Sequence, residues 1–275
     1  MCTLDGCGSA SELPPIPVSS AERRRFLAGL ASLPLATVLS YPDLARAQAA
    51  SAREQSIVGE DGTRVSGVIA LPAITPAPAI LLIHEWWGLN DQIKSVAAEL
   101  ASLGYIAYAI DLYGGEVAST PDGAKTLMGA VDEASATAEL STAIEFLRLH
   151  EESSGRVGTV GWCFGGGWSI NASLAAPVDA TVAYYGRLPQ DAAALKTLHG
   201  PVMGHFGTED ESIDEVMVGG FERAMASAGH ARKLDIHWYT ANHAFANPSS
   251  ARYDEDDAAL AWSRTQAFFA QHLQV

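Results

Sequence analysis

Residues 160–167 read Val160-Gly161-Trp162-Cys163-Phe164-Gly165-Gly166-Gly167. The apolar run 157–161 is strand-like, and a helical pattern resumes through residues 170–175. Gly161 and Gly165 flank Cys163 two positions to either side, the Gly-x-nucleophile-x-Gly form of a sharp strand-to-helix turn. The reason for the glycines is steric, because so tight a reversal leaves the backbone no room for a side chain at either position. The turn pushes the central thiol out of the sheet edge and beside the N-terminus of the next helix. There the free N–H groups and the helix field favour thiolate over thiol. The bland alternative is a small cysteine packed at a strand end. Three consecutive glycines in a first helical turn cost stability and fit that alternative poorly.

On both sides of this turn the chain alternates strand and helix. Residues 54–71 read as a hairpin turning at Asp61-Gly62. Residues 79–84 are a continuous apolar run, as expected of a parallel strand buried on both faces. Asn90 or Asp91 can cap the helix that ends near Gly104, and residues 105–110 are the next strand. Residues 122–149 are helical in pattern. Further strands are predicted over 179–185, 202–206 and 234–239, with helices over about 213–229 and 257–272. The expected fold is α/β, a doubly wound, mostly parallel sheet with helices on both faces.

A nucleophilic turn of this kind predicts an acid and then a histidine in loops after later strands. Asp210 follows the strand 202–206, in competition with Glu209, Glu211 and Asp214. His243 follows the strand 234–239, while His199, His205, His230, His237 and His272 read as structural. Cys163 is then the nucleophile, His243 the base and later the acid, and Asp210 the group that fixes the imidazole tautomer. After the first parallel strand comes His84-Glu85-Trp86-Trp87-Gly88-Leu89-Asn90, whose loop would bring the Trp86 N–H beside that of Phe164 to form an oxyanion hole. Glu85 in an aromatic setting would have a raised pKa and could take or hold a proton of the thiol; a structural acid paired with His84 or an arginine is the alternative. Trp86, Trp87, Trp162, Phe164 and Phe245 would make the mouth of the site apolar.

Composition narrows the class. The 275 residues carry 17 Lys+Arg against 32 Asp+Glu, a net charge of -15 that disfavours nucleic acid and anionic membrane surfaces as partners. Arg23, Arg24 and Arg25 precede Phe26-Leu27, an apolar stretch follows, and Ala47-Gln48-Ala49 offers a cleavage site. The paired arginines resemble a twin-arginine signal read by the export machinery for folded cargo. The apolar stretch, interrupted by Pro34, is too short for stable membrane insertion. Residues 1–49 are therefore expected to be an export signal, with residues 50–275 as one domain that is periplasmic or secreted. The segment holds four basic and four acidic residues, so its removal leaves the charge at -15. Cys2 and Cys7 leave with it, so Cys163 has no partner for an internal disulfide.

The strings HEWWGLN (84–90), AIDLYGG (109–115), VGWCFGG (160–166), AYYG (183–186), GTED (207–210) and NHAFA (242–246) resemble the dienelactone hydrolase family of α/β-hydrolases over roughly residues 55–273. The resemblance implies that fold, a monomer, no cofactor, and a small ester or lactone as substrate. It implies a triad of Cys163, His243 and Asp210, and a Glu85 that pairs with the resting cysteine until substrate displaces it and it takes the thiol proton. It places Tyr185, Asn247 and Lys125 with Trp87, Trp162 and Phe245 in the substrate pocket. The family's archetype holds a substrate carboxylate with two arginines. Here the position four past His243 is Asn247, and Lys125 is the only cation between Asp111 and Arg148. Two other readings stand beside hydrolysis: a non-catalytic protein holding an apolar ligand in an aromatic cleft, and a peroxide-sensing thiol protein.

Overall fold

The computed structural model describes residue 49 and residues 51–274. The export segment expected over residues 1–49 lies outside the described residues, Ala49 apart. The chain opens with a hairpin of β1 (Arg53–Val58) and β2 (Arg64–Ala70). Its turn is closed by the Asp61 carboxylate, which accepts the Thr63 N–H at 2.9 Å. Then follow β3 (Ala77–Ile83), α1 (Asp91–Ser102), β4 (Ile106–Ile110), α2 (Pro121–Ala130), α3 (Glu133–Leu149), β5 (Ser153–Trp162) and α4 (Phe164–Ala175). The remainder is β6 (Ala180–Tyr184), α5 (Ala192–Leu195), β7 (Val202–Gly207), α6 (Glu215–Ser227), β8 (Leu234–Tyr239) and α7 (Glu255–Leu273).

The strands form one eight-stranded sheet in the order β1-β2-β4-β3-β5-β6-β7-β8. The pairs β1/β2 and β2/β4 are antiparallel and every other neighbouring pair is parallel. This is the mixed, mostly parallel sheet flanked by helices that the sequence pattern predicts. Strand β3 shows why its apolar run is unbroken. Ile80 and Leu82 pack towards α1 and α7, whereas Ala79, Leu81 and Ile83 pack towards α3. All five are fully buried, and each Leu or Ile side chain so buried contributes roughly 1.5–3 kcal/mol. A third cluster joins β6 and β7 to α6 through Ala183, Phe206, Val218, Phe221 and Met225. No helix among the described residues is long and apolar enough to cross a membrane.

The helical pattern over 122–149 is two helices, not one. The Asp132 side chain accepts the N–H and the hydroxyl of Ser135, at 2.9 and 2.8 Å, and so begins α3 afresh. Apolar spacing runs on through that break and does not reveal it. Asn90, not Asp91, caps α1, accepting the Ile93 N–H at 3.2 Å. The short α5 has no counterpart in the sequence pattern. Because β3 to β8 run parallel, the loops that follow them gather at one edge of the sheet.

Candidate active site

At that edge, Cys163 links β5 to α4 with φ 55° and ψ -114°, a left-handed conformation costing on the order of 1–3 kcal/mol for a residue with a side chain. Its N–H donates to the Tyr184 carbonyl at 3.0 Å, and its carbonyl accepts from Gly166 at 3.0 Å. A Cβ at Gly161 would overlap the Gly165 carbonyl, and one at Gly165 would overlap the carbonyls of Ile83 and His84. The second overlap locates the neighbouring loop: the end of β3, and with it residues 84–86, lies against the first turn of α4. No backbone carbonyl among the described residues accepts the N–H of Trp86 or of Phe164.

His243 joins the other two members. Its Nδ1 lies 2.7 Å from Asp210 Oδ2 and its Nε2 lies 3.2 Å from Cys163 Sγ. The other Asp210 oxygen accepts the N–H groups of Ser212 and Ile213, at 2.8 and 3.0 Å. Of the acids in this loop, Asp210 is buried against the histidine, Glu209 and Glu211 are exposed, and Asp214 caps α6 through the Met217 N–H. Burial raises the Asp210 carboxyl, but the His243 contact and the two N–H groups reverse that and hold it below its ordinary range. Burial likewise opposes charge on His243. Its hydrogen bonds to Asp210 and Cys163, with their fields, outweigh burial and raise the imidazole to about 10.

Glu85 is buried, with Oε1 accepting from the Tyr185 hydroxyl at 3.3 Å and Oε2 accepting from the Asn247 amide. The resemblance implies a resting contact between Glu85 and Cys163; here the sulfur faces His243 and both carboxylate oxygens are held by neutral donors. Burial lifts the Glu85 carboxyl to about 7, while Asn247, Tyr185 and the field of His243 pull it back only in part. Between about pH 4.5 and pH 7 the folded chain therefore holds a proton at Glu85 that the unfolded chain releases. Stability contributed at this site falls as pH rises through that window. Glu85→Gln is expected to remove about 3 kcal/mol of that fall. Denaturant unfolding of wild type and variant at about pH 5 and about pH 8 measures it. An unchanged pH dependence in the variant would refute the assignment.

His84 does not pair with the Glu85 carboxylate. Its Nε2 accepts the Leu112 N–H at 3.2 Å, so Nδ1 carries the proton and donates to the Glu85 backbone carbonyl at 2.6 Å. Burial lowers its pKa, in keeping with this neutral tautomer, and the ring braces the 84–86 loop against residues 111–113.

The aromatic residues divide into two layers. Trp86, Trp87 and Phe164 are partly exposed, the two indoles meeting edge to face at 5.0 Å. Trp162, Tyr185 and Phe245 are buried behind them: Trp162 stacks on Tyr184 at 5.4 Å, and Tyr185 packs against both His243 and Phe245. They back the site rather than form its mouth, because side chains at the end of β5 and just past β6 fill the core under α7. Asn247 is buried on Glu85. Lys125 is exposed on α2, 3.9 Å from Asp122. No spacing in the chain signals the tie between Tyr185, Asn247 and Glu85, since the three are far apart in sequence.

The dienelactone hydrolase family profile matches residues 65–273. The chain belongs to this family. It is 30% identical over 228 residues to the carboxymethylenebutenolidase of Pseudomonas putida, covering 78% of this chain and 94% of that one. It is 28% identical over 224 residues to carboxymethylenebutenolidase 1 of Cupriavidus pinatubonensis, with the same coverage of each chain. The crystal structure of a provisionally named dienelactone hydrolase from Klebsiella pneumoniae superposes with a TM-score of 0.71 at 28% identity, covering 80% of this chain and 98% of that one. Family membership and the Cys163–His243–Asp210 contacts together support hydrolase activity by a Cys-His-Asp arrangement.

Proposed function

We propose that the protein hydrolyses carboxylic esters or lactones with Cys163 as nucleophile, His243 as base and acid, and Asp210 as the group that orients the imidazole. The observation that carries this is His243, in hydrogen-bond contact with Asp210 on one nitrogen and Cys163 on the other. His243 takes the thiol proton, the sulfur attacks the carbonyl carbon, and a C–S bond forms as the carbonyl π pair moves onto oxygen. The resulting oxyanion is held by the N–H groups of Trp86 and Phe164. The intermediate collapses with loss of the alkoxy group, which takes its proton from His243, leaving a thioester. His243 then removes a proton from water, the hydroxide attacks the thioester, and the acid leaves as the thiolate reforms. Glu85, held by Tyr185 and Asn247, stands behind His243 as a buried acid and is not in hydrogen-bond contact with the sulfur.

The same reading covers substrate charge. Asn247 stands where the resemblance implies an arginine, and its amide is engaged with Glu85. A carboxylate on the substrate would meet no bidentate partner there and would lie near a buried acid. Purified protein is therefore expected to show kcat/KM about tenfold or more higher for neutral aryl esters and neutral lactones than for dienelactone. A screen of these substrates, with Cys163→Ala as control, decides it; a dominant dienelactonase activity would overturn the preference. We also read residues 1–49 as a twin-arginine export signal, on Arg23-Arg24-Arg25, the apolar stretch and Ala47-Gln48-Ala49. The mature chain would then act as a periplasmic or secreted monomer, and N-terminal sequencing of the exported protein tests where it begins.

A further inference from the structure

Tyr113 lies in the loop after β4. Its N–H donates to Asp111 Oδ1 at 3.0 Å, and the other oxygen of Asp111 accepts the Gly115 N–H, which fixes the loop. The loop is stitched to its neighbour by the Ala118 N–H, which donates to the Trp87 carbonyl at 2.9 Å. The Tyr113 ring packs against side chains from both segments that carry the oxyanion donors. It meets His84 edge-on at 4.6 Å and crowds Gly88, whose Cβ, were there one, would press on the ring. It also packs on Phe164 at 5.6 Å, and Phe164 in turn stacks on His84 at 5.8 Å.

The residue is only 8% exposed, and its hydroxyl is buried with no hydrogen-bond partner among the described residues. For packing alone a phenylalanine would serve as well, since a buried hydroxyl gives up its hydrogen bonds to water and here gains none within the fold. A group kept at that disadvantage, its ring packed on the residue that follows Cys163, is explained if it finds its partner in the substrate. Burial and the field of Cys163 both push the phenol's pKa well up, so the oxygen keeps its proton and can donate.

We propose that the Tyr113 hydroxyl is a third donor to the substrate carbonyl oxygen, joining the N–H groups of Trp86 and Phe164 as the tetrahedral intermediate forms. This rests on the thiol-hydrolase reading and adds a side chain to its oxyanion site. Because the bond strengthens as charge develops on that oxygen, its loss falls on kcat more than on KM.

The test is Tyr113→Phe, assayed on a neutral aryl ester, with melting temperature and the rate of Cys163 alkylation by iodoacetamide measured alongside. The expected result is a drop in kcat of about 10²-fold with KM changed less than about twofold. The melting temperature should be unchanged or higher, and alkylation should run at the wild-type rate, because the nucleophile itself is untouched. A kcat within about twofold of wild type overturns the proposal. So does a loss of activity accompanied by a lower melting temperature or slower alkylation, which would make the hydroxyl structural. Cys163→Ala separates the two levels: if that variant keeps wild-type turnover, the hydrolase reading fails and this proposal with it. If it is inactive while Tyr113→Phe is fully active, the proposal fails alone.

Discussion

Cys163→Ala is expected to lower kcat by on the order of 10⁵-fold or more while leaving the fold in place. The large effect follows from the role: without the sulfur no thioester forms, and the oxyanion donors and His243 can only assist direct attack by water. The intact fold follows from the backbone. Position 163 already carries a Cβ at φ 55°, so alanine adds no strain that cysteine does not have. The contacts that hold the turn, from the Cys163 N–H to Tyr184 and from Gly166 to the Cys163 carbonyl, are main-chain bonds that the substitution keeps. The site is partly open to solvent, so the freed His243 Nε2 can turn to water, and stability should change by less than about 1 kcal/mol. Steady-state rates on a neutral aryl ester and a thermal melt check both halves. A variant with wild-type rates would remove Cys163 from the chemistry.

The second large effect is expected for Asp210→Asn, a loss in kcat of on the order of 10³–10⁴-fold. The direction comes from the hydrogen bonds. One carboxylate oxygen accepts two backbone N–H groups, from Ser212 and Ile213, so the asparagine must keep its carbonyl oxygen there. Its amide nitrogen is then directed at His243 Nδ1, where the native chain has a carboxylate oxygen at 2.7 Å. An N–H donor in that place selects the tautomer with the proton on Nε2. The nitrogen beside Cys163 Sγ then no longer accepts a proton. The raised pKa of His243, about 10 in the native chain, falls as well once the carboxylate is gone. The signature is a lower kcat, slower alkylation of Cys163 by iodoacetamide, and little change in KM. Wild-type alkylation and turnover in Asp210→Asn would exclude Asp210 as the orienting group.

Much of this site is legible in the chain because its parts announce themselves locally. Gly161 and Gly165 mark the turn, since two close backbone approaches exclude a side chain at those positions, and that constraint is visible in eight residues. Strand β3 is legible because burial on both faces removes polar residues from it altogether. The chain order of Cys163, Asp210 and His243 follows from parallel strands that deliver successive loops to one edge. The break between α2 and α3 is less legible, because it turns on one hydrogen-bonding side chain, Asp132, within an apolar spacing that suits a continuous helix. The aromatic layers are not legible at all. Trp86 and Trp162 are the same residue type near the same turn, yet one is at the surface of the site and the other is in the core, because adjacent strand ends and loops present opposite faces.

Sequence alone therefore determined the alternating α/β architecture, the turn at Cys163 and the loops that carry the acid and the histidine, since each depends on local sterics or on strand order. Tertiary structure decided what surrounds them. It took Glu85 away from the thiol and gave it to Tyr185 and Asn247, residues 100 and 162 positions away. It chose Asp210 over its acidic neighbours by burial, and left the Tyr113 hydroxyl without a partner among the described residues. The physical reason is the same in each case. A buried polar group's state is set by which donors, acceptors and apolar walls the fold brings within a few ångströms, and those contacts join segments that no spacing in the chain connects.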